Sequence, residues 1–271
     1  MTASGAAGRL AWHCAAWLGA ALVIGAATWW LGPPGAVRET SLYGEAYGDG
    51  GGRAVTALEV VAGSADVSLT PRGDGPVGYR ADFAWSRGEP AVERSRLGDT
   101  LRLTPRCAGP AGASADLGCS IRLTVTVPPG IPVKVSGGSG RVSVTGLEGP
   151  LDADVDSGTL TLSALRGPVR AHVGTGRLVA TGLASPQAEI RADSGRADAT
   201  FEVAPERVTA RVGEGRLVLN LPGEARYRVR DRVGAGRCEV ADSLRDPASA
   251  RVLDVAADAG HATVAHRGAR S

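Results

Sequence analysis

From Gly138 onward, short bursts of alternating apolar and polar residues each follow a glycine. The bursts GSGRVSV, DSGTLTL, GTGRLVA, DSGRADA, GEGRLVL, GAGRCEV and DAGHATV share one pattern, [Gly/Asp]-[Ser/Thr/Glu/Ala]-Gly-[Arg/Thr/His]-apolar-x-apolar. Their central glycines are Gly140, Gly158, Gly176, Gly195, Gly215, Gly236 and Gly260, spaced 18 to 24 residues apart. The second and fourth residues after each glycine are apolar in every copy, from Val142 and Val144 to Ala262 and Val264. Such alternation puts one set of side chains on a buried strand face and the other in solvent. Three and five residues before each glycine lie further small or apolar residues, as Val155 and Ala153 or Val173 and Ala171, with Asp231 as the exception. Each unit therefore reads as strand, tight turn, strand. The glycine, and the Gly or Asp two residues before it, suggest a corner at positive φ. Leu147, Leu165 and Leu183, followed by Pro150, Pro168 and Pro186, mark a second corner. No unit can bury its apolar face alone, so the units must stack. The fold expected is all-β, a β-solenoid of stacked ~18–24-residue strand-turn-strand repeats over residues 136–265. A continuous antiparallel meander with a hairpin at each glycine is the alternative the pattern leaves open.

Upstream the period weakens. VVAGSADVSLT resembles a degenerate first rung, with Gly63, Ser64 and Ala65 at the corner and Val67 and Leu69 pointing inward. Hairpin-like strands are then expected at Val77–Trp85, Ala91–Arg96, Thr100–Thr104 and Ser120–Val127, with Gly98-Asp99 as one turn. Pro128-Pro129-Gly130 ends this insertion, which assigns residues 55–135 to an N-terminal β region. Residues 32–54 read as a Gly/Pro-rich linker and 266–271 as a tail.

Leu10 to Leu31 is a run without charge, 22 residues long. As a helix it would span about 33 Å, enough to cross a bilayer. Arg9 precedes it, and Trp12, Trp17, Trp29 and Trp30 lie near its ends, where indole prefers the interface. The expectation is one transmembrane helix at 10–31, a short cytoplasmic tail at 1–9 and an extracytoplasmic C-terminal domain. A signal peptide cleaved near Gly25-Ala26-Ala27 is the other reading. A net charge of +2 gives no reason to expect nucleic acid as a partner. Lys134 is the one lysine, and the Arg, Ala and Gly excess fits a GC-rich bacterial genome. Cys107 and Cys119 flank one loop and would close it as a disulfide in an oxidising compartment, while Cys238 takes an inward position.

The stretch VTVPPGIPVKVSGGSGRVSVTGLEGPLDADVDSGTLTLSAL resembles the bacterial β-strand-repeat family called "putative adhesin", a domain of unknown function. Its Pro-Pro-Gly lead-in and Ser-Gly-polar-Val units carry the resemblance, which extends over roughly residues 55–265. The resemblance implies a surface β-solenoid, in some members linked to envelope stress, and supplies no catalytic residue.

The sharpest chemistry lies just after each central glycine. Arg141, Arg177, Arg196, Arg216 and Arg237 occupy that position, with Thr159 and His261 in the other two copies. Stacked rungs would line them up about 4.8 Å apart as a cationic stripe, suited to acidic glycans, teichoic-type polymers or anionic headgroups. The bland reading pairs each arginine with an acid on the next rung. Asp152, Asp154 and Asp156 share a strand face but lack the Gly and Glu of a calcium loop, Ser157 and Ser163 standing there instead. No dinucleotide glycine signature, zinc motif or nucleophile elbow occurs, and His172, His261 and His266 have no ligand spacing. The sequence thus leads to no catalytic, cofactor or metal site. It describes a membrane-anchored, adhesin-like protein whose partner is a cell-wall polymer or an envelope protein. Envelope-stress sensing through a membrane partner is the second reading. A glycan-active enzyme using Asp154, Asp156, Asp193 and Arg177 is the third.

Overall fold

The structure is a computed structural model that describes residues 37–46, 54–73, 75–86, 88–108 and 118–267. Two compact units divide the chain, Met1–Arg38 and Glu39–Ser271, and the β architecture belongs to the second. The expected membrane helix at 10–31 lies outside the described residues.

Two long sheets face one another across a thin aliphatic core. The first runs, in spatial order, Arg38–Ala46, Val77–Trp85, Cys119–Val127, Asp66–Pro71, Arg141–Thr145, Thr159–Ser163, Arg177–Leu183, Arg196–Phe201, Arg216–Leu221, His261–His266 and Arg237–Val240. The second runs Arg228–Val233, Val252–Ala257, Arg207–Val212, Gln187–Ala192, Val169–Val173, Leu151–Val155, Val133–Gly137, Ala57–Gly63, Thr100–Arg106 and Ala91–Leu97. Each repeat contributes one strand to each sheet. Successive repeats pair in parallel and in register, as Leu160 with Val142 and Leu178, or Ala153 with Val135 and Ala171. Parallel pairing between repeats excludes the meander and makes this a β-solenoid-like stack.

The alternating pattern sorts as the pleat demands. Val142, Leu160, Leu178, Ala197, Leu217 and Ala262 form one fully buried column, and Val135, Ala153, Ala171, Ile190, Ala210 and Val255 form a facing one. Volume is balanced within a rung. The rung holding Ala188, Ala192, Ala197 and Ala199 also holds Ile190 and Phe201, and Phe201 pairs with Leu183, extending the column of Leu147 and Leu165.

The glycine corner has a different cause from the one expected. None of the seven central glycines has a left-handed φ; among the described residues the positive-φ glycines are Gly63, Gly98, Gly118, Gly146 and Gly182. What forbids a side chain is the rung beneath. A Cβ on Gly158, Gly176, Gly195 or Gly215 would lie 1.8 to 2.2 Å from the carbonyl oxygen of the preceding central glycine. Left-handed backbone belongs instead to the second corner, at Gly146 (φ 69°), Ala164 (φ 53°) and Gly182 (φ 63°).

Spatial order departs from chain order at both ends. Val252–Ala257 and His261–His266 insert between the rung of Arg207–Leu221 and the rung of Arg228–Val240, so the sixth repeat is the terminal cap and the seventh lies inside it. This explains the drift of the sixth repeat. Asp231 pairs with Val255 on one side only, is exposed, and meets Arg245 at 3.3 Å. At the other end, Thr100–Arg106 and Cys119–Val127 are more than hairpin strands. They form a rung, paired in parallel with Ala57–Gly63 and Asp66–Pro71. Val77–Trp85 and Ala91–Leu97 then cover its edges antiparallel. Both sheets run unbroken through residues 135 and 136, and a strand, Arg38–Ala46, occupies part of the expected linker. Cys107 and Cys119 are disulfide-bonded with Cα atoms 6.1 Å apart, joining the two strands of that outer rung.

Candidate functional site

Because each repeat turns at a glycine pressed against the one below, the next residue always starts a first-sheet strand facing outward. Registration then stacks Arg141, Thr159, Arg177, Arg196, Arg216, His261 and Arg237 in one column. All five arginines are exposed. The swap at the C-terminal end places His261 between Arg216 and Arg237, and Arg237 meets Glu239 of its own strand at 3.6 Å. Arg177, Arg196 and Arg216 are direct neighbours on three successive rungs. Among the described residues none of them makes an ion pair; Asp198, two residues along the same face from Arg196, makes none either. With Ser157, Thr175 and Ser194 and the bare glycine backbone of Gly158, Gly176 and Gly195, they line an open groove along the corner. Like charges directly opposite on paired strands destabilise a sheet. Three unneutralised guanidiniums beside a row of hydroxyl donors make a surface for an extended anion.

One outer column of the second sheet shows what self-neutralised stacking looks like in this fold. It reads Arg102, Glu59, Lys134, Asp152, Arg170, Glu189, Thr209, Asp254 and Arg230, with signs alternating rung by rung except at Thr209. Arg102 meets Glu59 at 2.9 Å and Arg170 meets Glu189 at 3.0 Å. The Arg102 hydrogen bond holds the Glu59 carboxyl below the ordinary range despite partial desolvation. Asp152 belongs to this column, which accounts for one of the three clustered aspartates.

Asp154 belongs to another set. His172 Nδ1 lies 3.1 Å from Asp154 and Nε2 lies 3.0 Å from Asp193, so one imidazole joins carboxylates on the rungs below and above. Arg191 Nε donates to the other Asp193 oxygen at 2.9 Å. Partial burial disfavours the imidazolium, but the hydrogen bonds to Asp154 and Asp193 outweigh it and raise the His172 pKa above 6.5. Asp193 is lowered, chiefly by Arg191 and then by His172. Arg177 starts a strand of the first sheet whereas Asp154 faces outward from the second, so the residues weighed for a glycan enzyme are split between two faces. Asp156, exposed, ends its segment at the glycine corner. Among the described residues no cluster of His, Cys, Asp or Glu could hold a metal ion.

Alignment on the glycines places the alternating column six residues before each corner and Asp154 and His172 four before it, but only stacking brings in Asp193, two before its own corner, to close the clip.

No protein-family model and no curated protein matches the chain. Solved structures do. A Bacteroides fragilis "putative adhesin" aligns with a TM-score of 0.54 at 11% identity, covering 86% of this chain and 100% of that one. A Parabacteroides distasonis "putative lipid binding protein" aligns at 0.52 and 12% identity, covering 85% and 97%. A "putative cell adhesion protein" from Clostridium sporogenes gives 0.40 at 12%, covering 85% and 100%. The first two likenesses establish a shared fold.

Proposed function

We propose that this chain is a non-enzymatic, adhesin-like binding module, tethered by residues 10–31 to the outer face of a bacterial membrane, and that it binds an anionic envelope polymer. The observation that carries the reading is the column Arg177, Arg196 and Arg216, unpaired on three successive rungs, whereas the Arg102-to-Arg230 column of the second sheet pairs its charges in alternation. A polymer with anionic groups at regular intervals is the ligand that a row of guanidiniums at about 4.8 Å intervals matches. The fold shared with a protein named as an adhesin adds support. A lipid ligand, as in the other neighbour's name, would call for an apolar cleft, and this groove is lined by Ser, Thr, Gly and Arg.

The test is retention of the full chain, in detergent, on immobilised poly(glycerol phosphate). Replacing Arg177, Arg196 and Arg216 together by Ser is expected to lower affinity at least tenfold and to flatten its salt dependence. A charge-matched control, Arg94, Arg228 and Arg267 to Ser, is expected to change it less than threefold. Equal losses in the two triples would reduce the column to general charge and sink the reading.

A further inference from the structure

A second cationic feature lies on the other side of the glycine corner, on the outer face of the second sheet. Four residues before the central glycines of three repeats stand Arg191, Arg211 and Arg232. Arg191 pairs directly with Arg211, and Arg211 with Ala256 of the inserted rung. Ala256 in turn pairs with Arg232 of the terminal cap. The column therefore reads Arg, Arg, Ala, Arg. One position in it has only a methyl group, and a small cleft opens there, lined by Arg191, Arg211, Arg232, Ala256, Asp193 and Asp258.

The charges in the cleft do not cancel. Asp193 already accepts from Arg191 Nε and from His172 Nε2. Neither Arg211 nor Arg232 makes an ion pair among the described residues. Asp258 alone remains against those two guanidiniums. The backbones of Arg211 and Arg232 stand two strand spacings apart, about 9.5 Å, and their side chains rise on the same face with Ala256 between them. That gap admits one tetrahedral oxyanion accepting charge-assisted hydrogen bonds of about 2.8 Å from both sides. A tetrahedral oxyanion has oxygens left over for Arg191 once both of these sides are engaged.

We infer that the cleft over Ala256 is a discrete binding site for a single tetrahedral oxyanion, phosphate or sulfate, free or as an ester group. Arg211 and Arg232 are its two jaws and Arg191 its third donor. The site exists only because the seventh repeat inserts between the fifth and the sixth. In chain order Arg211 and Arg232 would be direct neighbours with no room between them. An anion seated there ties the cap to the body of the stack across the inserted rung. The site is separate from the polymer groove and does not depend on it.

The test is thermal unfolding of the full chain in detergent, with inorganic phosphate replacing chloride at constant ionic strength. A saturable rise is expected, roughly 3–6 °C at ten times Kd for a domain of this size. Arg211→Ser and Arg232→Ser should each raise the phosphate Kd at least tenfold. Arg211→Lys should weaken it less than Arg211→Ser, because it keeps the charge while losing the paired donors. Ala256→Glu, which supplies a carboxylate in place of the anion, should abolish the response while leaving the far-UV spectrum unchanged. The Ser triple at Arg177, Arg196 and Arg216 should keep the full response, so loss of polymer retention and loss of the phosphate shift separate the two sites. A glycerol-phosphate polymer titrated into the Ser triple, whose groove no longer holds the polymer, distinguishes the sources: a lower Kd per phosphate than inorganic phosphate assigns the site to an ester group, an equal or higher one to the free ion. No saturable rise in the parent protein, or a full rise in Arg211→Ser or Ala256→Glu, overturns the inference.

Discussion

Replacing Gly176 by Ala tests whether the glycine column is dictated by stacking rather than by backbone conformation. Gly176 has an ordinary φ, so alanine costs nothing in torsion. Its Cβ, however, would lie 2.0 Å from the Gly158 carbonyl oxygen and 3.0 Å from the Gly158 and Ser157 carbonyl carbons. These are backbone atoms and cannot rotate away. Restoring contact near 3.5 Å requires the rungs to part by about 1.5 Å at this corner. That motion breaks the bonds from Arg177 N to Gly158 O (3.0 Å) and from Thr175 N to Asp156 O (2.7 Å). Two backbone hydrogen bonds at about 1 kcal/mol each, with overpacking of about 1–3 kcal/mol, oppose about 0.5–1 kcal/mol gained by restricting the unfolded chain. The net loss is roughly 2–4 kcal/mol, or about 4–16 °C in Tm. Urea titration followed by far-UV circular dichroism gives the measurement. Gly223→Ala is the control, since a Cβ there meets nothing within 4 Å. If Gly176→Ala unfolds at the same urea concentration as Gly223→Ala, the steric account of the repeat is wrong.

The second corner makes the opposite prediction. Ala164 holds φ 53° where Gly146 and Gly182 stand in the neighbouring repeats, so Ala164→Gly should stabilise by about 0.5–1 kcal/mol and raise the unfolding midpoint; a lowered midpoint would contradict the strain. The His172 clip predicts pH dependence. Its raised pKa contributes stability that is full below the unfolded value near 6.5 and lost as pH rises through the folded value. The lowered Asp193 works in the other direction, its contribution being lost as pH falls through its folded pKa. Unfolding midpoints should therefore drop between pH 6 and 8 more steeply in the parent than in His172→Gln, and superimposable profiles would refute the clip. At the cap, Asp231 occupies an inward column position with no strand beyond it, and charge there discourages end-to-end pairing. Asp231→Val should increase concentration-dependent association by light scattering; an unchanged mass would show that the edge is guarded by other means.

Sequence by itself determined the rung. Apolar residues two and four places after each glycine had to face inward, and too few large side chains were present to build any core but a thin one shared between neighbours. The exposed arginine position followed from the same alternation. Only the tertiary structure decided the order of the rungs. The sixth and seventh repeats carry the same motif and similar strands, so local pattern energy cannot tell which of them stacks on the fifth. What separates them is the end of the core: Asp231, Cys238 and Val233 suit a rung with solvent on one side, while Val255, Ala262 and Val264 suit one with neighbours on both. Once the seventh is placed inside, the residues two before the central glycines read Gly138, Asp156, Gly174, Asp193, Gly213, Asp258 and Gly234. That is a strict alternation in space that the chain order hides. The reason is contact, since a Cβ on Gly174, Gly213 or Gly234 would fall 2.4 to 2.5 Å from the carbonyl oxygen of the aspartate on the adjoining rung. Registry of backbones on neighbouring rungs therefore chose between two orders that the repeat motif treats alike, and with that choice it set which arginines stand together.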